Sequence, residues 1–244
     1  MDQLSTKKQA IEALKKELFF LQGFKATASK PELASSLGSI LQAFPEKRFP
    51  LSAVHEFVAL TNEDNNASRG FIAGLLSLIA GNNCALLWIT TGPAIFPPAL
   101  KRFGIDAQRI LFIHLKNHKD RLWSLEQALQ CNALPAVVAE ISDLNFIESR
   151  RLQLAVEKSQ STCFLLRKSP KHLGVTAATA RWHISTLPSY AVDGLPGLGH
   201  PHWHIELSKV KNGKTGAWQM QWKGNHFEES NTTKKTITEL QRIA

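Results

Sequence analysis

The stretch Phe49–Ala80, FPLSAVHEFVALTNEDNNASRGFIAGLLSLIA, decides the fold. His55 to Leu60 has the short, β-branched and aromatic character of a buried first strand. Thr61 to Ser68 is polar and reads as a loop, and Gly70 to Ala80 reads as an apolar helix. Strand, loop and helix in this order make the place where a nucleotide-binding α/β protein cradles phosphate, with a Gly-rich loop and a Lys at the helix start. Here there is no Gly before Gly70 and no Gly-Lys-Ser/Thr, and the loop carries Glu63 and Asp64. The architecture is present and the phosphate chemistry is missing.

Outward from this stretch the chain alternates. Strands are expected at Cys84–Thr90, Arg109–His114, Ala136–Ile141 and Thr162–Arg167, with helices at Pro97–Phe103, Leu122–Gln130 and Phe146–Lys158 between them. Strands that are apolar throughout and separated by helices describe a parallel sheet covered on both faces. After Arg167 the period changes to two. Ala180–Ser185, Trp203–Val210 and Ala217–Trp222 alternate apolar with polar, and Asn212-Gly213 marks a hairpin between the last two. These are expected as antiparallel strands extending the sheet. The fold class is therefore α/β, a mainly parallel sheet flanked by helices with antiparallel strands at its C-terminal end.

Before this body, Ser5 to Phe24 has helix signals: Ser5 or Thr6 as cap, an apolar stripe of Ile11, Leu14, Leu18 and Leu21, and Gly23 as stop. Such a stripe by itself reads first as packing on its own domain, and Lys25–Pro31 as a linker. Glu32–Phe44 is a shorter helical piece ended by Pro45, and Glu228–Ala244 is a polar tail or weak helix. The expected units are a helical arm and linker at 1–36, a core at 37–227 and a tail at 228–244.

Of the 244 residues, 43% are hydrophobic and 20% charged, which suits a globular protein with a full core. No apolar run is long enough for a membrane span, and the N-terminus does not read as a signal peptide. The three cysteines, Cys84, Cys131 and Cys163, lie far apart and mostly in apolar runs, which suits buried thiols in a reducing compartment. The net charge is +9, and from Arg150 to Lys223 eleven Lys/Arg face three acids, Glu157, Asp193 and Glu206. A basic surface of this kind suits a polyanion, or a partner already on one.

Other constellations are weaker. His200, His202 and His204 could share a strand face, but Pro201 interrupts pairing and no carboxylate or Cys stands at ligand spacing, so no metal site is expected. No Gly-x-Ser-x-Gly elbow occurs, and His55-Glu56 is no zinc helix motif. Glu56 reads as a strand-end acid facing a partner. Arg167, Lys168 and Lys171 follow the fifth strand and are candidate phosphate contacts, with Thr176 and Thr179 as extra donors; an exposed basic turn is the competing reading. Trp182, Trp203, Trp218 and Trp222 alternate within strands and are expected in packing rather than on bases.

Four stretches carry a resemblance. They are Leu37–Glu56, with Pro50-Leu51 leading into His55-Glu56; Cys84–Asp106, ending Phe103-Gly-Ile-Asp; Leu122–Cys131 with Ala136–Glu140 and Ser149–Ala155; and Pro196–Trp203 with Gly216-Ala-Trp218. Over roughly residues 37–223 the chain resembles a RecA-like core, and more specifically the ImuA family of SOS-associated, error-prone repair accessory proteins. The resemblance implies translesion synthesis in the cytoplasm at the nucleoid. The implied partners are a Y-family-like ImuB-type protein, RecA or its DNA filament, an error-prone DnaE-type polymerase, and DNA directly or through those partners. It makes Ile11, Leu14, Leu18 and Leu21 a candidate partner interface. It places Thr90-Thr91 where the RecA pattern has its water-activating carboxylate, and Glu140 at the magnesium-associated strand end. Without a phosphate-binding Lys or that base, no catalytic residue and no cofactor are expected. The alternatives are an ATPase with a divergent phosphate loop and a stand-alone DNA-binding regulator.

Overall fold

The structure, a computed structural model, describes residues 30–81, 84–92, 95–189 and 199–230. The stripe of Ile11, Leu14, Leu18 and Leu21 lies outside them, as do residues 231–244. The elements are α1 (Pro31–Leu37), β1 (Val54–Ala59), α2 (Asn62–Ala80), β2 (Leu86–Thr90), β3 (Ile110–His114), α3 (His118–Leu129), β4 (Ala136–Glu140), α4 (Phe146–Ser159), β5 (Thr162–Lys168), β6 (Ala180–Thr186), β7 (His202–Val210), β8 (Gly216–Lys223) and β9 (His226–Glu229).

Among the described residues nine strands form one sheet in the order β3-β2-β4-β5-β1-β6-β7-β8-β9. From β3 to β6 every pairing is parallel; from β6 to β9 every pairing is antiparallel. The α/β class and the antiparallel C-terminal extension are as expected. One strand differs: β6 pairs in parallel with β1, His55 beside Ala180, and turns antiparallel only toward β7. Its alternating burial signals one solvated face, not strand direction.

Three expected helices change character. The segment 32–44 splits into α1 and a 3-10 stretch, Gly38–Ala43, because Gly38 adopts φ of 50° and ends the α-helix. Pro97–Phe103 is also 3-10, stopped by Gly104 in the left-handed region. Helix α2 begins at Asn62, so the expected loop is its first two turns. Strand β9, His226–Glu229, straddles the expected boundary between core and tail at 227/228, with Phe227 as its buried anchor.

Each sheet face has its own core. On one side α1, α2 and the 3-10 segments cover an aromatic cluster; on the other, α3 and α4 pack on Leu87, Val137 and Leu165. The aromatic cluster centres on Trp182, fully buried, with Phe57 stacked on it at 6.0 Å and Phe44, Phe49 and Phe71 around it. Gly70 and Gly74 on α2 let the antiparallel strands approach: a Cβ at Gly74 would meet the Phe227 ring at 2.5 Å.

His55 lies inside this cluster. Its Nε2 donates to Pro50 O at 2.7 Å, its Nδ1 accepts from Trp182 Nε1–H at 3.2 Å, and its ring stacks on Phe49 at 4.6 Å. Neutral imidazole satisfies both partners, and burial lowers its pKa to about 4 from 6.5, against the Pro50 bond, which raises it. The unfolded chain therefore binds a proton between these values that the native chain does not, and stability falls as pH drops through that window. Denaturant unfolding at pH 5 is expected to give a stability lower by about 2 kcal/mol than at pH 7, and His55→Phe should remove most of that slope. An unchanged slope in the variant would assign the pH dependence elsewhere.

Candidate functional site

The carboxyl edge of β1, β2 and β4 is where the sequence places phosphate chemistry. Strand β1 ends at Ala59 and α2 starts at Asn62, so only Leu60 and Thr61 join them. Two residues cannot wrap a phosphate. The helix start is closed by its own side chains: Thr61 Oγ1 accepts from Asp64 N–H at 3.1 Å, and the Asp64 carboxylate accepts from Thr61 N–H at 3.0 Å. This capping box is written in the sequence as Thr-x-x-Asp, a variant of the usual Ser/Thr-x-x-Glu. A helix N-terminus attracts an anion because free N–H groups and the aligned peptide dipoles converge there. Here the anion is Asp64, and it is covalently supplied.

Beside it lies a polar cleft of about 280 Å3 whose lining includes Asn62, Asn65, Arg69, Thr91, Glu140 and Lys168. Glu140 is the last residue of β4, and the fold places Thr90 and Thr91 beside it. Arg69 Nη2 donates to Glu140 Oε1 at 2.7 Å, and Thr90 Oγ1 donates to Oε2 at 2.9 Å. Burial lowers the pKa of Arg121, and the charge of Glu140 opposes that shift. Glu140 is therefore neutralised from within. Arg69 is the functional residue that sequence reasoning missed. It lies 71 residues from Glu140, and nothing local announces the pair.

The second expected site is corrected. Arg167 is fully buried and faces Glu56, with Nη1 at 3.6 Å from Oε1, so it presents no charge to a phosphate. Glu56 is likewise fully buried, and its other oxygen accepts from Arg181 Nε at 2.8 Å. The acid expected to face a partner is the centre of an internal ion cluster. Burial lowers the Arg167 pKa and that of nearby Lys209, while the Glu56 charge holds both up. Thr176 and Thr179 are buried and cannot serve as surface donors. Lys168, the last residue of β5, and Lys171 are exposed.

Among the remaining candidates, His202 ring nitrogens lie 3.0 Å from Pro188 O and 2.6 Å from Ser230 Oγ, which makes it structural. Trp182, Trp203 and Trp222 are in the core and Trp218 is half-buried. Cys163 is buried, and burial beside Glu56 pushes its thiol pKa up; Cys84 is half-buried, whereas Cys131 is exposed, against the expectation of buried thiols. Among the described residues no helix is long and apolar enough to cross a membrane.

No family model matches the chain. The ImuA proteins of two strains of Caulobacter vibrioides are each 30% identical to it over 203 residues, covering 78% of this chain and 83% of theirs. The chain belongs to the ImuA family. The family resemblance first carried by short stretches thus extends over most of the chain.

The two carboxylates of this ImuA-family chain differ in how much a lost charge should cost. Glu56→Gln strands Arg167 in a dry interior and is expected to destabilise by about 3–5 kcal/mol. Glu140→Gln leaves Arg69 able to reach water and should cost about 1–2 kcal/mol. Urea titration of both variants checks the ranking; equal losses would mean that the Glu140 pair is as desolvated as the Glu56 cluster.

Proposed function

We propose that this chain is a non-catalytic component of an ImuA/ImuB-type mutagenesis system, acting by protein contact rather than by turning over nucleotide. The observation that carries the non-catalytic reading is the Thr61–Asp64 capping box. It puts a carboxylate where a triphosphate would need bare N–H groups, on a junction too short to fold around phosphate. Phosphoryl transfer also needs a cation on the β- and γ-phosphates and a free acid to hold magnesium. Arg69 is spent on Glu140, and no Lys opens α2.

In this reading the contacts lie elsewhere. Ile11, Leu14, Leu18 and Leu21 form the face toward an ImuB-type protein, and Lys168 and Lys171 lie toward DNA or a DNA-bound partner such as RecA filament. Family membership supports the ImuB-type partner; RecA and a DnaE-type polymerase follow from the resemblance alone.

Calorimetry of the full chain with Mg-ATP is expected to show no binding heat. Micromolar binding, or turnover lost in Glu140→Gln, would overturn the non-catalytic reading in favour of an ATPase. Leu14→Asp is expected to abolish co-purification with a co-expressed ImuB-type protein while leaving the melting temperature nearly unchanged. A collapsed melting temperature would instead assign the stripe to the chain's own core.

A further inference from the structure

Asn66 and Arg69, which line the polar cleft at Glu140, also line a second cleft of about 470 Å3. It opens between α2, the 3-10 stretch Pro97–Phe103 and the place where β6 meets β7, with Thr186 paired to Trp203. Because β6 runs parallel to β1, this is again the carboxyl edge of the parallel strands, where open α/β sheets receive ligands. The hollow has a cause in the sequence. On α2 its wall is Ala67, Gly70 and Ala73, spaced three apart, with no side chain long enough to fill the space. A Cβ at Gly70 would already stand 3.1 Å from the Trp203 ring. Trp203, Leu100 and Ala73 are buried and make the floor, and the Phe103 ring stacks on Trp203 at 6.4 Å. Exposed Asn66, Ala99, Arg102 and Thr186 stand at the mouth. An apolar, ring-lined floor under a polar rim is, at this volume, the form of a small-molecule site.

The charged groups of the lining select the ligand. They are the guanidiniums of Arg69 and Arg102 and the imidazoles of His200 and His202; among the described residues no Asp, Glu or Lys lines this cleft. Arg69 is held by Glu140, which lies in the neighbouring cleft. His202 is held between Pro188 O and Ser230 Oγ. The exposed guanidinium of Arg102 has no ion pair or hydrogen bond among the described residues. A guanidinium beside a ring-lined hollow suits an oxyanion on an apolar body, because it meets two oxygens with two parallel N–H groups.

We propose that this cleft binds a small organic monoanion, an apolar ring body carrying a carboxylate or sulfonate. The body lies on Trp203 and Phe103 between α2 and the 3-10 stretch, and the acid group meets Arg102 at the mouth. A nucleoside triphosphate fits less well, because it brings several negative charges to a lining with no Lys and with Arg69 already held by Glu140. The proposal goes beyond the reading of the chain as a non-catalytic component and needs no partner protein in its test, so either can fail alone.

Fluorescence titration of the full chain with anilinonaphthalene sulfonate, an apolar acid that brightens on leaving water, tests it. The uncharged phenylnaphthylamine is the control. The sulfonate is expected to saturate a single site per chain. Arg102→Ala should weaken the sulfonate about tenfold and leave the uncharged amine within about twofold. Ala99→Trp, which narrows the mouth, should weaken both probes about tenfold or more. Both positions are exposed, so both variants should melt like the wild type. A signal that is absent or never saturates would overturn the proposal. So would sulfonate binding that is unchanged in either variant, or an equal loss of both probes on Arg102→Ala. Displacement of the sulfonate by micromolar Mg-ATP would overturn it together with the non-catalytic reading; the other failures leave that reading standing.

Discussion

The constraint on which the rest depends is a single carboxylate, Glu56, placed in the middle of the sheet with no access to water. A charge there is tolerable only if it is matched on the spot. Its partners come from the strands on either side of β1: Arg167 from β5 and Arg181 from β6, the latter directly opposite Glu56 in register. The cluster therefore specifies which strands flank β1, and a slip of one residue would turn the matching charges to the other face. Its cations then use their remaining donors on the β5–β6 connection. Electrostatic balance inside the sheet thus becomes loop geometry at its edge.

The neighbouring edge solves a related problem in the opposite way. An open helix start and a carboxylate at the end of β4 would make an anion and metal site. Here Asp64 closes the first and Arg69 neutralises the second. The helix start and the end of β4 at this edge thus have their charges satisfied by the chain itself.

Much of this was legible along the chain. The apolar runs at β1 to β5, the period-two strands after residue 180 and the Asn212-Gly213 turn each follow from local pattern, because burial on two faces or on one leaves its own periodicity. The start of α2 was misread because Asn62 to Asn66 are weak helix formers, and the capping box that overrides them needs Asp64 to be seen as a cap rather than as an obstacle to phosphate. Arg167 was misread because a Lys/Arg run after a strand looks the same whether it faces water or a buried acid. The partner that decides, Glu56, is more than a hundred residues away.

By itself, then, the sequence determined the class of fold, strands β1 to β8, the family and the absence of a Gly-rich phosphate loop, since all of these are local patterns or summed similarity. Only the tertiary structure decided the direction of β6, the pairing of Arg69 with Glu140 and the burial of Arg167. Each of these is a contact between residues distant along the chain, and a charged or apolar side chain carries no mark of which neighbour will satisfy it until the sheet has brought them together.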